Sequence, residues 1–233
     1  MVKNAVALVG MGEGTGAALA RRFAIEGYPV AMLARSSPRL REYENSIPGT
    51  RGFTWDANDD MGAAEVFANI REELGPIGTL IYNAAYRRVK TFQDATLEDF
   101  ESSWGTNTRG LFIATKQVIA DMVSAGSGTI LVSGATASLR GNPSSVTFAP
   151  AKAGARILAQ ALAREYGPQG IHVATVIIDG AINHALMRRA IPDRPDEFFI
   201  EPDDIADAFY KLKMQPRSAW TFELDLRPFG EKW

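Results

Sequence analysis

The chain has no cysteine, which excludes disulfides, thiolate metal sites and a cysteine nucleophile, and fits a reducing cytoplasm. Histidine is almost as scarce. Only His172 and His184 occur, neither with a second ligand at metal spacing, so no metal site is expected. No apolar run approaches the ~18 residues that a membrane span needs. No block of Lys or Arg is present, and 25 basic against 27 acidic residues leave a net charge of −2, which argues against a nucleic-acid partner. What is present is an ordinary globular composition, 46% hydrophobic and 22% charged over 233 residues. That length allows a sizeable core and suits one α/β domain over 1–233, with no evident linker or repeat.

Short apolar runs rich in β-formers alternate with longer helical patterns. "NAVALVG" (4–10) reads as a buried first strand rather than a signal segment, because its apolar run is short and ends in glycines. A helix is expected over 14–27, strands over 29–35 and 51–57, and helices over 36–47 and 60–74. Ser37 is the expected N-cap of the 36–47 helix, with Pro38 at its first position. Strands follow at 79–85, 128–134, 171–179 and 219–226. Helices are expected over 97–124, weakened around Gly105 and Gly110, over 148–166, and over 202–213. Residues 181–200 are of mixed character. This alternation implies a doubly wound parallel sheet of about seven strands with helices on both faces. Ligands bind such sheets at the carboxyl ends of the strands, which selects the loops after Gly10, Leu33, Trp55, Tyr82, Val132 and Ile178.

The first of these loops, "VGMGEGTGAALA", carries Gly10, Gly12, Gly14 and Gly16 between a strand and a helix that starts near Thr15. Glycines let the backbone approach a pyrophosphate, and the following helix offers free N–H groups and its positive dipole end. The second strand ends "LARSSPRL". It offers Arg35, flanked by Ser36 and Ser37, and no carboxylate before Glu42. An acidic residue there would take the ribose 2′-hydroxyl of NAD, whereas Arg suits the 2′-phosphate of NADP, so NADP is preferred and NAD remains a second option. Asp56, in "WDAND", either accepts from an adenine amino group or caps the helix beginning near Met61.

With these motifs the chain resembles the short-chain dehydrogenase/reductase family over essentially its whole length. The glycine turn fits the family's G-x-x-x-G-x-G at Gly10, Gly14 and Gly16. "YNAA" (82–85) fits Asn-Asn-Ala-Gly, keeping Asn83 and losing the first Asn and the Gly. By the same resemblance Asn107 supports the active-site lysine through a water. "IIDGAI" (177–182) then stands for the Pro-Gly segment whose backbone, at Gly180 and Ile182 here, holds the nicotinamide amide, with Asp179 replacing proline. The family's Tyr-x-x-x-Lys keeps its lysine as Lys152, which the resemblance assigns to the nicotinamide ribose hydroxyls. The tyrosine position is Phe148, and the serine position thirteen residues earlier is Ala135. No other tyrosine lies between Tyr86 and Tyr166 to replace it.

Hydride transfer to a carbonyl builds negative charge on oxygen, which needs a donor and then a proton. Losing a positioned acid typically costs roughly 10²- to 10⁴-fold in rate, and losing an oxyanion donor roughly 10²- to 10³-fold. Substitute donors near in sequence are Thr136, first among them, then Ser133, Thr147, Tyr86 and His184; His172, at a strand start, reads as structural. Residues 183–200 occupy the family's substrate-lid position, where Met187, Phe198 and Phe199 would suit an apolar or aromatic small molecule. Members of the family usually pair through helices corresponding to 97–124 and 148–166, so a homodimer or homotetramer is expected. Three functions are in play: an NADP-dependent oxidoreductase lacking the usual acid pair, an NADP-binding pseudoenzyme with a regulatory or partner role, and a non-redox enzyme reusing the pocket.

Overall fold

The computed structural model describes residues 3–230; residues 1–2 and 231–233, the ends of the expected 1–233 domain, lie outside the described residues. The chain begins with β1 (Ala5–Val9), α1 (Thr15–Ile25), β2 (Val30–Ala34), α2 (Ser37–Ser46), β3 (Thr50–Thr54) and α3 (Ala63–Leu74). It continues through β4 (Ile77–Tyr82), α4 (Leu97–Trp104), α5 (Gly110–Ser124), β5 (Gly128–Ala135), α6 (Phe148–Tyr166) and β6 (Ile171–Ile178). The last elements are β7 (Ala181–Ile182), α7 (Ala185–Ala190), β8 (Phe199–Ile200), α8 (Pro202–Lys213) and β9 (Glu223–Leu226).

Seven strands form one parallel sheet in the order β3-β2-β1-β4-β5-β6-β9, the architecture expected from the alternation. Strand order reverses between β1 and β4, so the loops after Val9 and Tyr82 flank the switch point. Both faces are covered, so every residue of β1 and β6 is buried; β1 is an unbroken apolar run, and β6 is interrupted only by His172 and Thr175. One core joins α3, α5 and α6 to the sheet through residues such as Phe67, Leu111 and Ala155. The other joins α1 and α8 through Leu19, Phe23, Ile205 and Phe209.

Several boundaries move, each for a local reason. Ser36, not Ser37, is the cap residue of α2, and its side chain makes no cap bond. β3 stops at Thr54 because the chain turns at Asp56, whose Oδ1 accepts from the Asn58 amide at 2.9 Å. The 97–124 region breaks into two α-helices around a five-residue π-helical turn, Gly105–Arg109. Gly105 and Gly110 give the lost helicity its local cause. The mixed 181–200 segment folds as α7 held between the two strands of a small parallel ladder, β7 against β8. No helix among the described residues is long and apolar enough to cross a membrane.

Candidate active site

The glycine turn after β1 is shaped by steric need. Gly10 has φ +96°, and a Cβ there would stand 2.2 Å from the Ala84 backbone nitrogen after β4. Gly14 has φ +86°, and a Cβ on Gly16 would press on the Gly10 carbonyl at 3.0 Å. Only glycine lets the two strand ends and the α1 N-terminus crowd together this way. Thr15 opens α1 with its Oγ1 buried and without a partner. A buried orphan hydroxyl beside a helix N-terminus and a cradle that a Cβ would fill fit a phosphate group.

A cleft of about 660 Å³ extends from this turn across the strand ends. Gly10, Arg35, Asp56 and Asn83 line it, joining four of the residues expected to hold a nucleotide. Arg35 is exposed at the end of β2 and Ser36 beside it is exposed but off the cleft wall. Glu13 also lines the cleft, so its charge opposes a phosphate there. Asp56 does not cap α3, whose cap residue is Gly62; instead it organises its own turn and leaves a carboxylate on the cleft wall.

Asn83 couples this cleft to the interior. Its Nδ2 donates to the Gly10 carbonyl at 2.9 Å, and its Oδ1 accepts from Ser133 Oγ at 2.8 Å. The Ser133 carbonyl in turn accepts from Lys152 Nζ at 2.8 Å. Ser133 is thus committed to structure rather than to substrate. Lys152 is 5% exposed and is not among the cleft-lining residues. Burial lowers its pKa to about 8. Phe148, one helical turn away, is 7% exposed with its ring centroid 5.8 Å from Nζ, so the phenyl group walls the ammonium off from water.

Asn107 lies in the π-helical turn, a geometry that often marks functional positions. Its Nδ2 donates to the Tyr86 and Ser103 carbonyls, both at 2.9 Å. Its Oδ1 is buried without a partner, an acceptor of the kind that a buried water satisfies.

Ala135 ends β5, half-buried, and Thr136 follows it. The Thr136 hydroxyl donates to Asp179 Oδ1 in a short bond. Asp179 follows β6, next to Ile178, whose partner in the ladder is Ala135. The proton expected to serve a substrate oxygen is therefore already given to a carboxylate.

The other substitute donors scatter. Tyr86 lines the cleft and its hydroxyl accepts from Arg88 Nε at 2.9 Å. Thr147 Oγ1 is buried without a partner. His184 lies over the glycine turn, where a Cβ on Gly14 would meet its side chain at 3.5 Å, and it lines the cleft. Nothing local signals that contact between residues 170 positions apart. His172 packs as expected, its ring stacked on Trp220 at 4.9 Å.

The lid residues divide. Met187 lines the cleft, whereas Phe199 is buried under the Arg188 guanidinium and Phe198 packs edge-on against it. Neither phenylalanine is among the residues that line the cleft. Gly180 is needed for packing, since a Cβ there would meet Pro228 at 2.6 Å, and Ile182 faces Ile200 in the small ladder.

Comparison with known proteins follows the same outline. The family signature described as short chain dehydrogenase matches residues 4–194. A short-chain dehydrogenase/reductase of Armillaria gallica is 33% identical over 176 residues, 72% of this chain and 67% of the relative. An acetoacetyl-CoA reductase of Rhizobium meliloti is 29% identical over 211 residues, covering 86% of this chain and 87% of the reductase. A short-chain dehydrogenase structure from Rhodopseudomonas palustris superposes with a TM-score of 0.83 at 30% identity, covering 97% of this chain and 99% of that one.

Proposed function

The chain belongs to the short-chain dehydrogenase family of oxidoreductases, and we propose that it binds NADP in the 660 Å³ cleft and carries out hydride transfer on a small organic substrate without the usual tyrosine and serine. Arg35 carries the choice of cofactor. It lines the cleft at the end of β2, where no carboxylate stands to take a ribose 2′-hydroxyl. Gly10, Gly14 and Gly16 shape the pyrophosphate seat, with Thr15 and the α1 N-terminus supplying donors. Asn83 holds the turn in place, and Asp56 offers an acceptor to an adenine amino group. Lys152, Asn107, Gly180 and Ile182 bound the nicotinamide end.

Bound NADPH supplies the hydride; the protein's part is to seat it, exclude water and set the charge around the acceptor. Lys152 keeps its ammonium against the Ser133 carbonyl, and Phe148 shields it, so the reaction end is drier than the cleft.

A pseudoenzyme that holds NADP without turnover is the second reading, favoured by the methyl of Ala135 and the phenyl of Phe148 at the two donor positions. Pairing through the α4, α5 and α6 face belongs to the same proposal, because Trp104, Phe112 and Ile157 there are 42%, 53% and 56% exposed. Sedimentation velocity should then report a dimer or tetramer. The absence of cysteine suits a cytoplasmic setting.

Fluorescence titration of the purified protein with NADPH and NADH tests the core of the reading. NADPH should bind near micromolar concentration and NADH at least about tenfold more weakly. Failure of both to bind removes the oxidoreductase and the pseudoenzyme together.

A further inference from the structure

The reaction end of the sheet is poor in donors and carries a carboxylate that the family pattern does not have. Ala135 and Phe148 have no proton to give, and the Thr136 hydroxyl is spent on Asp179. The other Asp179 oxygen lies 3.8 Å from the Arg227 guanidinium, which is 2.9 Å from Asp225. The guanidinium is nearer Asp225 than Asp179, so it offsets the Asp179 charge only in part. The Asp179 side chain is 17% exposed, sheltered enough for that charge to act at short range. The Lys152 ammonium, on α6, is turned onto the Ser133 carbonyl two residues before Ala135.

A ketone is the wrong acceptor for such a place. As hydride arrives, its oxygen becomes an alkoxide that neither Ala135 nor Phe148 can protonate and that the Asp179 carboxylate repels. An iminium ion reverses each requirement. Its positive charge is attracted to the carboxylate before reaction. Hydride adds to carbon, the C=N π pair moves onto nitrogen as a lone pair, and a neutral amine results with no proton needed. The two electrons come with the hydride from the reduced nicotinamide, which takes on the positive charge that the substrate loses, so charge and atoms balance.

We infer that the substrate of this site is a cationic C=N compound, an iminium ion, held by the Asp179 carboxylate, with Thr136 as the positioning residue that fixes the carboxylate's direction. This deepens the NADP-dependent reductase proposed above and rests on it.

The test uses matched bicyclic probes with NADPH: 2-methyl-3,4-dihydroisoquinolinium, whose charge is permanent, and the ketone 1-tetralone. NADPH consumption, corrected for the reaction without protein, should be at least ~100-fold faster with the iminium, as the missing donors dictate for the ketone. Binding is read separately by calorimetry in the presence of NADP⁺, using N,N-dimethyl-1,2,3,4-tetrahydroisoquinolinium, a cation of the same shape with no reducible bond. Asp179→Asn should weaken that cation roughly tenfold and leave the NADPH affinity within about twofold. Thr136→Val should raise KM for the iminium and leave kcat near wild type. Equal or faster reduction of 1-tetralone, no reduction of either probe by a protein that binds NADPH, or a cation affinity unchanged in Asp179→Asn overturns the inference. A wild-type protein that binds no NADPH instead overturns the reading beneath it.

Discussion

The two ends of one hydrogen-bonded chain, Gly10–Asn83–Ser133–Lys152, differ in what they leave available. At the Gly10 end the backbone is held in conformations that only glycine tolerates, a helix N-terminus is presented, and Arg35 stands exposed on a 660 Å³ cleft. At the Lys152 end the ammonium is 5% exposed, a phenyl ring covers it, and the nearby threonine proton is taken by Asp179. The first end is built to receive charged groups from outside; the second satisfies its charges internally. Cofactor recognition and proton supply are thus separable in this fold. The two donor positions, Ala135 and Phe148, make no hydrogen bond in the Gly10–Asn83–Ser133–Lys152 chain, so their change need not disturb the glycine turn.

The sharpest way to break the contrast is to return the donors. In the Ala135→Ser/Phe148→Tyr double variant, NADPH-dependent reduction of 1-tetralone should rise by roughly 10²-fold or more, since a positioned acid and an oxyanion donor are each worth about that much. A tetralone rate still at the wild-type level would show that the Lys152 end has lost more than two hydroxyls.

Charge reversal at the open end comes next. Arg35→Glu should weaken NADPH by roughly tenfold or more and NADH by less than about twofold, by fluorescence titration. Equal losses for the two nucleotides would detach Arg35 from the 2′-phosphate. His184→Ala should cost NADPH affinity a smaller factor, about threefold, by removing a side chain that overlies the glycine turn. An unchanged affinity would make His184 a packing residue only.

The smallest effect concerns stability at the closed end. Burial lowers the Lys152 pKa to about 8 from the ordinary lysine value, so the folded protein binds this proton less tightly than the unfolded chain does. The penalty is fully present below pH 8 and is relieved as pH rises from there towards 10.5. Lys152→Met should therefore melt a few degrees above wild type at pH 7, at about 2–4 °C per kcal/mol for a chain of this size, with the gap closing by pH 10. A gap that does not change with pH would mean that the ammonium carries no burial penalty.

The open end was the more legible one. The glycine turn and Arg35 sit at strand ends that the sequence pattern locates to within one residue; the strand before Asn83 ends at Tyr82, three residues earlier than expected. Six of the seven strands of the main sheet overlap their expected spans closely; β9 is shorter, four residues against eight, because its pairing with β6 begins only at Thr175. The 181–200 segment resisted reading because its two strands have two residues each, too short for any period to show. At the closed end the residue types were legible and their commitments were not. Thr136 looked like a free hydroxyl until its partner 43 residues away came beside it. His184 looked like a reaction-end donor until the lid carried it to Gly14. Such pairings arise from topology, and no local pattern encodes them.

The central claim is that a phosphorylated dinucleotide lies across the switch point with its 2′-phosphate at Arg35 and its pyrophosphate on the glycine turn. A crystal structure of the protein grown with NADPH tests this most directly. The account predicts phosphate oxygens within hydrogen-bond reach of the Thr15 and Gly16 amides and of the Arg35 guanidinium. Density for the nucleotide elsewhere, or a turn still closed by His184 with the cleft empty at saturating NADPH, would contradict it.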